Sequence, residues 1–497
     1  MLTALCSLLG CRSLPPGFNV AGPEVPVGPD DVRLLIDTTA WNVEREARVI
    51  RQEIFDGLLA MIGSAHSSIV LDLFLWNRMG TGPEVHRPLS RELVDALLQR
   101  LEERPSLEIL VLTDPINALY GTSWDPELLR LREAGIPVVL TDLDRLRDSH
   151  TLYAPPARSA AWLLDRTPHP EGYLSAPRLD NPFDPKAPKL SYQQVGRLLY
   201  FKANHRKVAV VDGADGVWTV LVTSFNPHDA SSAHSNIALQ LRGAVARQAL
   251  ASELDCIAWS ARAIENEGER LEVEQAVRAV RRAAGPASPL PDATGATARW
   301  VSERAIRDSI IALCDEALPG SDIRIAMFYL SERHVIRAIR RAAKRGVTVQ
   351  LILDLNRDAF GRKKNGVPNR IVARELMGYA RRHSLNLEVR WADTHGEQFH
   401  TKAICVTDRD AATSALMCGS ANWTRRNLNN LNMEACALVR GDATVVERFC
   451  DSFDRAWENS GGLRYTLPYA DFAEGWWSAF WKGGLYRFGE HMGSSTF

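Results

Sequence analysis

Two short motifs place a histidine and a lysine two residues apart, at His205-Arg206-Lys207 and at His400-Thr401-Lys402. Each motif begins a β-branched, apolar run that predicts a strand, and alternation along a strand puts the histidine and the lysine on one face. An imidazole beside a cation is a poor pair of ligands for a transition metal. It suits a phosphate group, because lysine supplies positive charge and imidazole supplies a nucleophile or a proton carrier.

A serine and an asparagine follow each motif, at Ser224 and Asn226 and at Ser420 and Asn422. Both pairs come at the end of the next predicted strand, where a hydroxyl and an amide are neutral donors to the same phosphate oxygens. A single histidine is usually a surface or core residue, so one such motif is a weak indication. Two motifs, each with its own serine and asparagine, strongly indicate phosphate chemistry.

The elements around the motifs are also repeated, which indicates a duplicated architecture. The matching elements are a strand at 69–74 and 323–328, a helix at 90–103 and 332–345, and a second strand at 107–114 and 347–354. Strand, helix and strand in this order predict α/β folding. We expect two homologous α/β halves, each a mostly parallel mixed sheet flanked by helices.

With these paired motifs the chain resembles the phospholipase D superfamily, whose mark is two copies of H-x-K-x4-D-x6-G-S-x-N. The resemblance covers roughly residues 35 to 465 and implies one active site at a pseudo-two-fold axis between the halves. It implies that one histidine attacks the phosphorus of a phosphodiester to give a phosphohistidine. The other histidine protonates the leaving alcohol and then activates water or an acceptor alcohol. Family precedent makes His205 the nucleophile and His400 the acid, and it implies no metal or other cofactor.

The resemblance also assigns roles to individual residues. The expected catalytic residues are His205, Lys207, His400, Lys402, Asn226, Asn422 and Glu434; the expected substrate-binding residues are Ser224, Ser420, Asn236 and Asn432; the expected supporting residues are Asp212 and Asp408.

Glu434 stands where the family has a carboxylate that hydrogen-bonds the catalytic histidine. Asn236 aligns with Asn432, so the first-half equivalent of Glu434 is Ala238. We therefore expect Glu434 to orient His400, favouring its imidazolium form, and His205 to lack a carboxylate partner.

The second motif also departs from the family pattern further along its strand. Thr407 stands where the family has an aspartate, and Asp408 comes one residue late. A one-residue slip would turn this aspartate to the wrong face, so we expect a β-bulge between Lys402 and Asp408.

Outside the repeats, the chain divides into segments of different composition. We expect a leader at 1–30, a first domain at 31–283 with a proline-rich insert at 143–200, a linker at 284–298, a second domain at 299–465 and an aromatic tail at 466–497. In the tail, i,i+4 aromatic pairs favour a helix packed on its own domain; the alternative is a foot on a membrane surface.

The leader resembles a bacterial lipoprotein signal, in which Cys11 would become lipid-modified, although no basic residue precedes its apolar run. This interpretation places the protein in the bacterial cell envelope. The alternatives are a disordered leader with a chance cysteine, and a cytoplasmic or peripheral membrane location.

Charge and composition bear on the substrate. The chain has 59 Lys+Arg against 60 Asp+Glu, without the basic excess typical of nucleic-acid binding. A possible lipid anchor, an aromatic tail and an apolar insert favour a phospholipid substrate and association with a membrane surface, and we do not expect a nucleic-acid partner. A nuclease and a non-catalytic phosphate- or lipid-binding protein are the alternatives, and the choice between hydrolysis and transfer stays open.

Overall fold

The structure is a computed structural model. It describes residues 14–77, 84–121, 124–148, 178–180, 189–192, 202–285, 295–359, 362–363 and 365–492. Cys11 and most of the expected insert and linker lie outside the described residues.

The first half forms an eight-stranded sheet in the order β3-β2-β9-β8-β7-β4-β5-β6. Its strands are β2 (Val32–Asn42), β3 (Ala47–Arg51), β4 (Ser68–Leu73), β5 (Glu108–Thr113), β6 (Val138–Leu140), β7 (Lys207–Asp212), β8 (Trp218–Thr223) and β9 (Asn236–Arg242). The central strands β4 and β7 are buried along their whole length, as is typical of strands covered on both faces.

The second half forms a nine-stranded sheet in the order β1-β10-β18-β17-β16-β11-β12-β15-β19. Its strands are β1 (Val25–Pro26), β10 (Thr297–Ser302), β11 (Asp322–Met327), β12 (Thr348–Leu353), β15 (Leu387–Ala392), β16 (Lys402–Thr407), β17 (Ala415–Gly419), β18 (Ala435–Arg440) and β19 (Thr466–Pro468). The segment assigned to the leader thus contributes β1, and the tail contributes β19. A separate two-residue ladder pairs β13 (Asp358–Ala359) with β14 (Arg362–Lys363).

Helices flank both sheets. They are α1 (Ile54–Ser64), α2 (Leu89–Glu103), α3 (Pro126–Glu133), α4 (Ala244–Ala261), α5 (Glu267–Ala284), α6 (Arg304–Glu316), α7 (Arg333–Lys344), α8 (Asn369–His383), α9 (Arg425–Leu428), α10 (Ala443–Glu458) and α11 (Trp476–Met492). A shared hydrophobic layer joins the halves: Val70 and Val210 of the first sheet belong to the same buried cluster as Leu416 and Val439 of the second.

The expected α/β class with two homologous halves is confirmed, but the sheets are not mostly parallel. Among the strands that the structure describes, only β4-β5-β6 and β11-β12-β15 pair in parallel. The strand that follows each histidine and the strand before each serine form an antiparallel pair, β7 with β8 and β16 with β17. A short turn joins each pair, and such a turn can connect only antiparallel neighbours.

Helix α11 packs on its own domain, but the i,i+4 aromatic pairs are not on the face that packs, which differs from the favoured interpretation of the tail. Trp476, Trp477, Phe480 and Trp481 are 57–70% exposed, while Gly483 and Tyr486 form the face that packs on the protein. The i,i+4 spacing defines one face of the helix but does not decide whether that face points inward. None of the helices among the described residues is both long and apolar enough to cross a membrane.

Candidate active site

The two histidines lie where the halves exchange short stretches of backbone. The N–H of His205 donates to the carbonyl of Met433 (2.9 Å), and the N–H of His400 donates to the carbonyl of Ser235 (2.9 Å). Each histidine lies two residues before the start of its central strand, β7 or β16, so its backbone is held by its own half and by the opposite half. The expected meeting of the two motifs is present in this arrangement.

Each histidine takes a side-chain partner from the opposite half. Nδ1 of His205 lies 2.7 Å from Oε1 of Glu434, and Nδ1 of His400 lies 3.2 Å from Oδ1 of Asn236. Carboxylate and amide oxygens are acceptors, so Nδ1 carries the proton in both rings and Nε2 is the atom left for chemistry. The expectation that Glu434 orients His400 is therefore wrong.

The error came from the alignment of the two halves. Ser224 contacts Asn236 across 12 residues of sequence, whereas Ser420 contacts Glu434 across 14. The second half has two additional residues here, so Glu434 is equivalent to Asn236 and not to Ala238. Asparagine stands at both 236 and 432, so the sequence alone does not reveal the two additional residues.

The side chains of the four residues expected to bind substrate form hydrogen bonds with other groups of the protein. Ser420 donates to Oε2 of Glu434, and Ser224 lies 3.3 Å from Oδ1 of Asn236. Asn432 accepts from the N–H of Ala203 (3.1 Å), just before His205. We therefore correct the role of Ser224, Ser420 and Asn236, whose buried side chains hold the histidines and their partners. Asn432 uses its Oδ1 to hold the backbone before His205.

Glu434 has several donors besides His205. Ser420 and Asn427 both donate to its carboxylate, and Arg206 is linked to its backbone through Glu303. Arg206 is fully buried, and its guanidinium donates to Glu303 (2.7 Å) and to Glu253 (3.1 Å). Oε1 of Glu303 also accepts from the N–H of Glu434 (3.0 Å). This buried cluster therefore fixes the backbone that carries the partner of His205.

The two lysines have equivalent surroundings. Nζ of Lys207 donates to the carbonyl of His205, and Nζ of Lys402 donates to the carbonyl of His400, each at 2.8 Å. The ammonium groups also lie 4.9 Å and 5.2 Å from the ring centres of Phe74 and Phe328. Burial lowers the pKa of Lys207 to about 7 and lowers that of Lys402 well below its ordinary value.

The same burial acts on the histidines. It lowers the pKa of His205 to about 4, although Glu434 raises it. It lowers the pKa of His400 well below its ordinary value, and the ammonium groups of Lys402 and Lys207 lower it further. Both rings are therefore neutral at pH 7 when the site holds no anion. A bound phosphate would supply the negative charge that favours their protonated forms.

Asn226 and Asn422 have the buried, unpartnered oxygens that a ligand site would leave. Both side chains are buried, and Oδ1 of each has no hydrogen-bond partner among the described residues. A buried polar atom without a partner is costly unless a bound group completes its surroundings. A phosphoryl oxygen is itself an acceptor, so it would take a hydrogen bond from Nδ2 of either amide, whereas the unpartnered Oδ1 would accept from a hydroxyl of the substrate or from water.

Two buried aspartates that we did not single out from the sequence support the backbone before each histidine. Asp114 accepts from the N–H of Asn204, and Asp354 accepts from the N–H of Phe399, both at 2.8 Å. Burial raises the pKa of each to about 7. The sequence pattern could have indicated these two aspartates, since each directly follows the second repeated strand of its half, β5 or β12.

His234 is a third histidine close to the site. Its Nδ1 accepts from the N–H of Gln398 (3.2 Å), and its ring centre lies 6.2 Å from that of His400. It occupies the place that Asn432 has beside His205. Burial lowers the pKa of His234 to about 3, so the ring is neutral.

The two supporting aspartates lie away from the histidines, at the far ends of β7 and β16. Asp212 accepts from the N–H groups of Ser67 (2.9 Å) and Ser68 (2.8 Å). Ser321 donates to Asp408, which follows the last residue of β16. The expected β-bulge is wrong, because β16 pairs with β11 and β17 in unbroken register. The additional residue lies beyond the end of the strand.

Among the described residues, the arrangement combines two imidazoles whose Nε2 atoms take no protein partner, two lysine amines and two amides whose Oδ1 atoms are unpartnered. One imidazole can attack a phosphorus atom while the other transfers a proton. The ammonium and amide groups can stabilise negative charge as it develops on the phosphoryl oxygens.

Comparisons with known proteins are consistent with this site. Residues 310–457 match the family model described as "Cardiolipin synthase, PLD-like domain". A mitochondrial cardiolipin hydrolase of Canis lupus familiaris is 26% identical over 147 residues, which are 30% of this chain and 49% of that protein. The match thus spans about half the length of this relative.

The fold as a whole is similar to a solved structure. The crystal structure of phosphatidylserine synthase from Haemophilus influenzae Rd KW20 matches with a TM-score of 0.56 and 12% identity, covering 95% of this chain and 96% of that one. At this identity the likeness concerns the fold alone. It covers both halves.

Proposed function

Since the chain belongs to the phospholipase D superfamily, we propose that it is a phosphodiesterase or phosphatidyltransferase that acts on phospholipids. The observation that carries the proposal is that each histidine is oriented through Nδ1 by a side chain of the opposite half. Such an orientation leaves both Nε2 atoms for one phosphodiester between the halves.

The two orienting side chains support different roles for the histidines. In the first step, Nε2 of His205 forms a bond to phosphorus, and the bond from phosphorus to the leaving oxygen breaks. The imidazole becomes positively charged in this step, and Glu434, a carboxylate held by several donors, stabilises that charge. His205 is therefore proposed as the nucleophile.

His400 is proposed as the acid and base. The amide of Asn236 holds its ring without adding a negative charge, so the protonated form is a strong acid. It gives its Nε2 proton to the leaving alcohol. It then takes a proton from water or an acceptor alcohol, whose oxygen attacks phosphorus and breaks the bond to His205. Lys207, Lys402, Asn226 and Asn422 stabilise the phosphoryl oxygens in both steps.

The choice of a phospholipid rests on the relatives. The matched family model and the curated relative are named for cardiolipin synthesis and hydrolysis. A phospholipid is also consistent with the near-neutral total charge, which does not favour a nucleic-acid substrate.

The test incubates the full chain with mixed phospholipids plus ethanol and, separately, with single- and double-stranded DNA. We expect phosphatidic acid or phosphatidylethanol, and their loss in His205→Ala and His400→Ala. His383→Ala, on the exposed end of α8, is the matched control and should retain activity. Cleavage of DNA with phospholipids untouched would make the protein a nuclease, and no reaction with either would favour a non-catalytic binding protein.

A further inference from the structure

Helix α11 carries its largest apolar residues on the side that faces away from the protein. Trp477, Trp481, Leu485 and Phe488 are 64–75% exposed. The side that packs on α8 has a small residue, Gly483, at the point of close approach. Soluble monomers rarely expose a continuous apolar stripe of this kind, and such stripes mark interaction surfaces. Trp476 and Phe480 extend the same stripe, which we call the aromatic face.

The helix is fixed to the protein beside the candidate active site. Near its end, Oε1 of Glu490 accepts from Ser331 (3.0 Å), and the carbonyl of Glu490 accepts from Arg425 (3.4 Å). The N–H of Ser331 in turn donates to the carbonyl of Trp423 (2.7 Å), the residue after Asn422. The end of the aromatic face nearest Glu490 therefore lies close to the loop that carries Asn422, a candidate phosphate-binding residue.

Positive charge borders the aromatic face. A groove of about 390 Å³ between α8 and α11 is lined by Trp476 and Phe480 and by the guanidinium groups of Arg374, Arg381, Arg382 and Arg487. Among the described residues of this lining, Glu375 is the one carboxylate, and it is already paired with Arg333 (2.7 Å) and Arg487 (3.4 Å). The border is thus cationic, although the whole chain has a net charge of -1.

We propose that this surface docks on a bilayer that contains anionic phospholipids. The indole and phenyl rings enter the interfacial layer, where aromatic side chains are favoured, and the arginines contact lipid phosphates. The charge of the groove selects this partner over a second copy of the chain, since two copies would bring two cationic borders together. The proposal builds on the proposed function in one respect: docking would hold the active site next to its lipid substrate.

The test measures binding of the full chain to vesicles of phosphatidylcholine with 30% phosphatidylglycerol, and to vesicles of phosphatidylcholine alone. The variant Trp477→Ser/Trp481→Ser/Phe488→Ser removes three exposed rings from the aromatic face. Its matched control, Val43→Ser/Leu129→Ser/Leu318→Ser, removes three exposed apolar side chains elsewhere. We expect the aromatic variant to lose about tenfold or more in vesicle affinity and the control to bind like the wild type.

Charge is tested with Arg381→Gln/Arg382→Gln, which should weaken binding to the anionic vesicles roughly tenfold or more while changing binding to the neutral vesicles little. Equal binding by the wild type and the aromatic variant would overturn the proposal. It would also be overturned if the wild type ignored vesicles and formed dimers that the aromatic variant does not form.

Two further measurements separate this proposal from the proposed function. His205→Asn should bind vesicles like the wild type, so binding is measured whether or not phospholipids are substrates. If phospholipids are substrates, the ratio of turnover on vesicles to turnover on a dispersed short-chain phospholipid should fall about tenfold or more in the aromatic variant. Vesicle binding without any turnover would refute the proposed function and leave the docking surface supported.

Discussion

Glu434 and Asn236 occupy equivalent positions in the two halves, and each receives Nδ1–H from the histidine of the other half. The buried charged residues near these two side chains differ. Beneath Glu434, Arg206 is buried between Glu303 and Glu253. Beneath Asn236, the register places the buried Asp37 in the adjacent strand, and Oδ2 of Asp37 has no hydrogen-bond partner among the described residues. Duplication thus preserved the geometry of the two histidines while their electrostatics diverged.

This comparison indicates how one repeated motif can supply two chemical roles. A carboxylate stabilises an imidazolium and suits the histidine that becomes positively charged on bonding to phosphorus. A neutral amide orients a ring without making its proton harder to release. The halves can be tested against each other with paired substitutions at equivalent positions.

The largest effect is expected from the histidines themselves. With a phospholipid labelled in the phosphate, His205→Asn should form no covalent adduct and should lose turnover to background. His400→Asn should lose about 10²–10⁴-fold in turnover: it lacks the acid of the first step, so label enters the protein slowly, and it lacks the base of the second, so label that has entered should stay on His205. Denaturing gel analysis at acid and alkaline pH measures the label. An adduct in His205→Asn and none in His400→Asn would exchange the two roles.

The buried charges should affect stability next. Glu303→Gln leaves Arg206 short of a partner and removes an acceptor from the N–H of Asn19, so we expect a loss of about 3–5 kcal/mol in the free energy of unfolding. Asp37→Asn keeps the acceptor for the N–H groups of Glu53 and Ile54 and should stabilise the protein at pH 8 by on the order of 1–3 kcal/mol. Urea unfolding measures both.

The pH dependence of the Asp37 effect has a definite sign. Burial raises the pKa of Asp37 from 3.8 to about 7, so between these values the folded state binds more protons than the unfolded state. Stability therefore falls as pH rises through this window. The advantage of Asp37→Asn over the wild type should grow from pH 4 to pH 8, and a constant difference would show that Asp37 is not buried in its acid form.

The orienting residues are expected to affect activity more moderately. Glu434→Gln should lower turnover about 10- to 100-fold, since a hydrogen bond to a charged group contributes about 1.5–3 kcal/mol. Asn236→Asp should instead raise the pKa of His400 and move the corresponding limb of the pH–rate profile upward by roughly 1 unit. Glu388→Gln, an exposed position on β15, is the control for charge. Equal effects at both sites would mean that the halves do not differ in role.

Much of the fold was open to prediction from the sequence because it depends on local patterns. The apolar strands and the His-x-Lys and Ser-x-Asn spacings are repeated along the chain, and the repeat predicted two α/β halves. The parallel character was overestimated because strand–helix–strand units were visible, whereas the pairing of β7 with β4 and of β16 with β11 joins distant segments.

The site was less predictable, since its important contacts cross between the halves. The partner of His205 lies 229 residues away, and a difference of two residues in one loop moved Glu434 from one histidine to the other in the alignment. The exposure of Trp477 and Trp481 was equally hidden, because the same spacing suits a helix facing either way. Arg206 is the middle residue of the first motif, but its role depends on contacts made in the fold with α4 and with Glu303, the residue after β10.

The smallest expected effect tests the strands that carry the serines. Gly419 and Thr223 are equivalent, but a Cβ at Gly419 would lie 2.3 Å from the carbonyl oxygen of Ala435, the residue after Glu434. Gly419→Ala must therefore displace β18 and should cost about 1–3 kcal/mol of stability. Thr223→Ala only removes hydrogen bonds to Ile237 and Phe225 and should cost about 1 kcal/mol. Thermal unfolding measures both. If Gly419→Ala also lowers turnover while Thr223→Ala does not, the displaced strand is the one that orients His205; equal losses would show that the close approach at Gly419 is not a constraint.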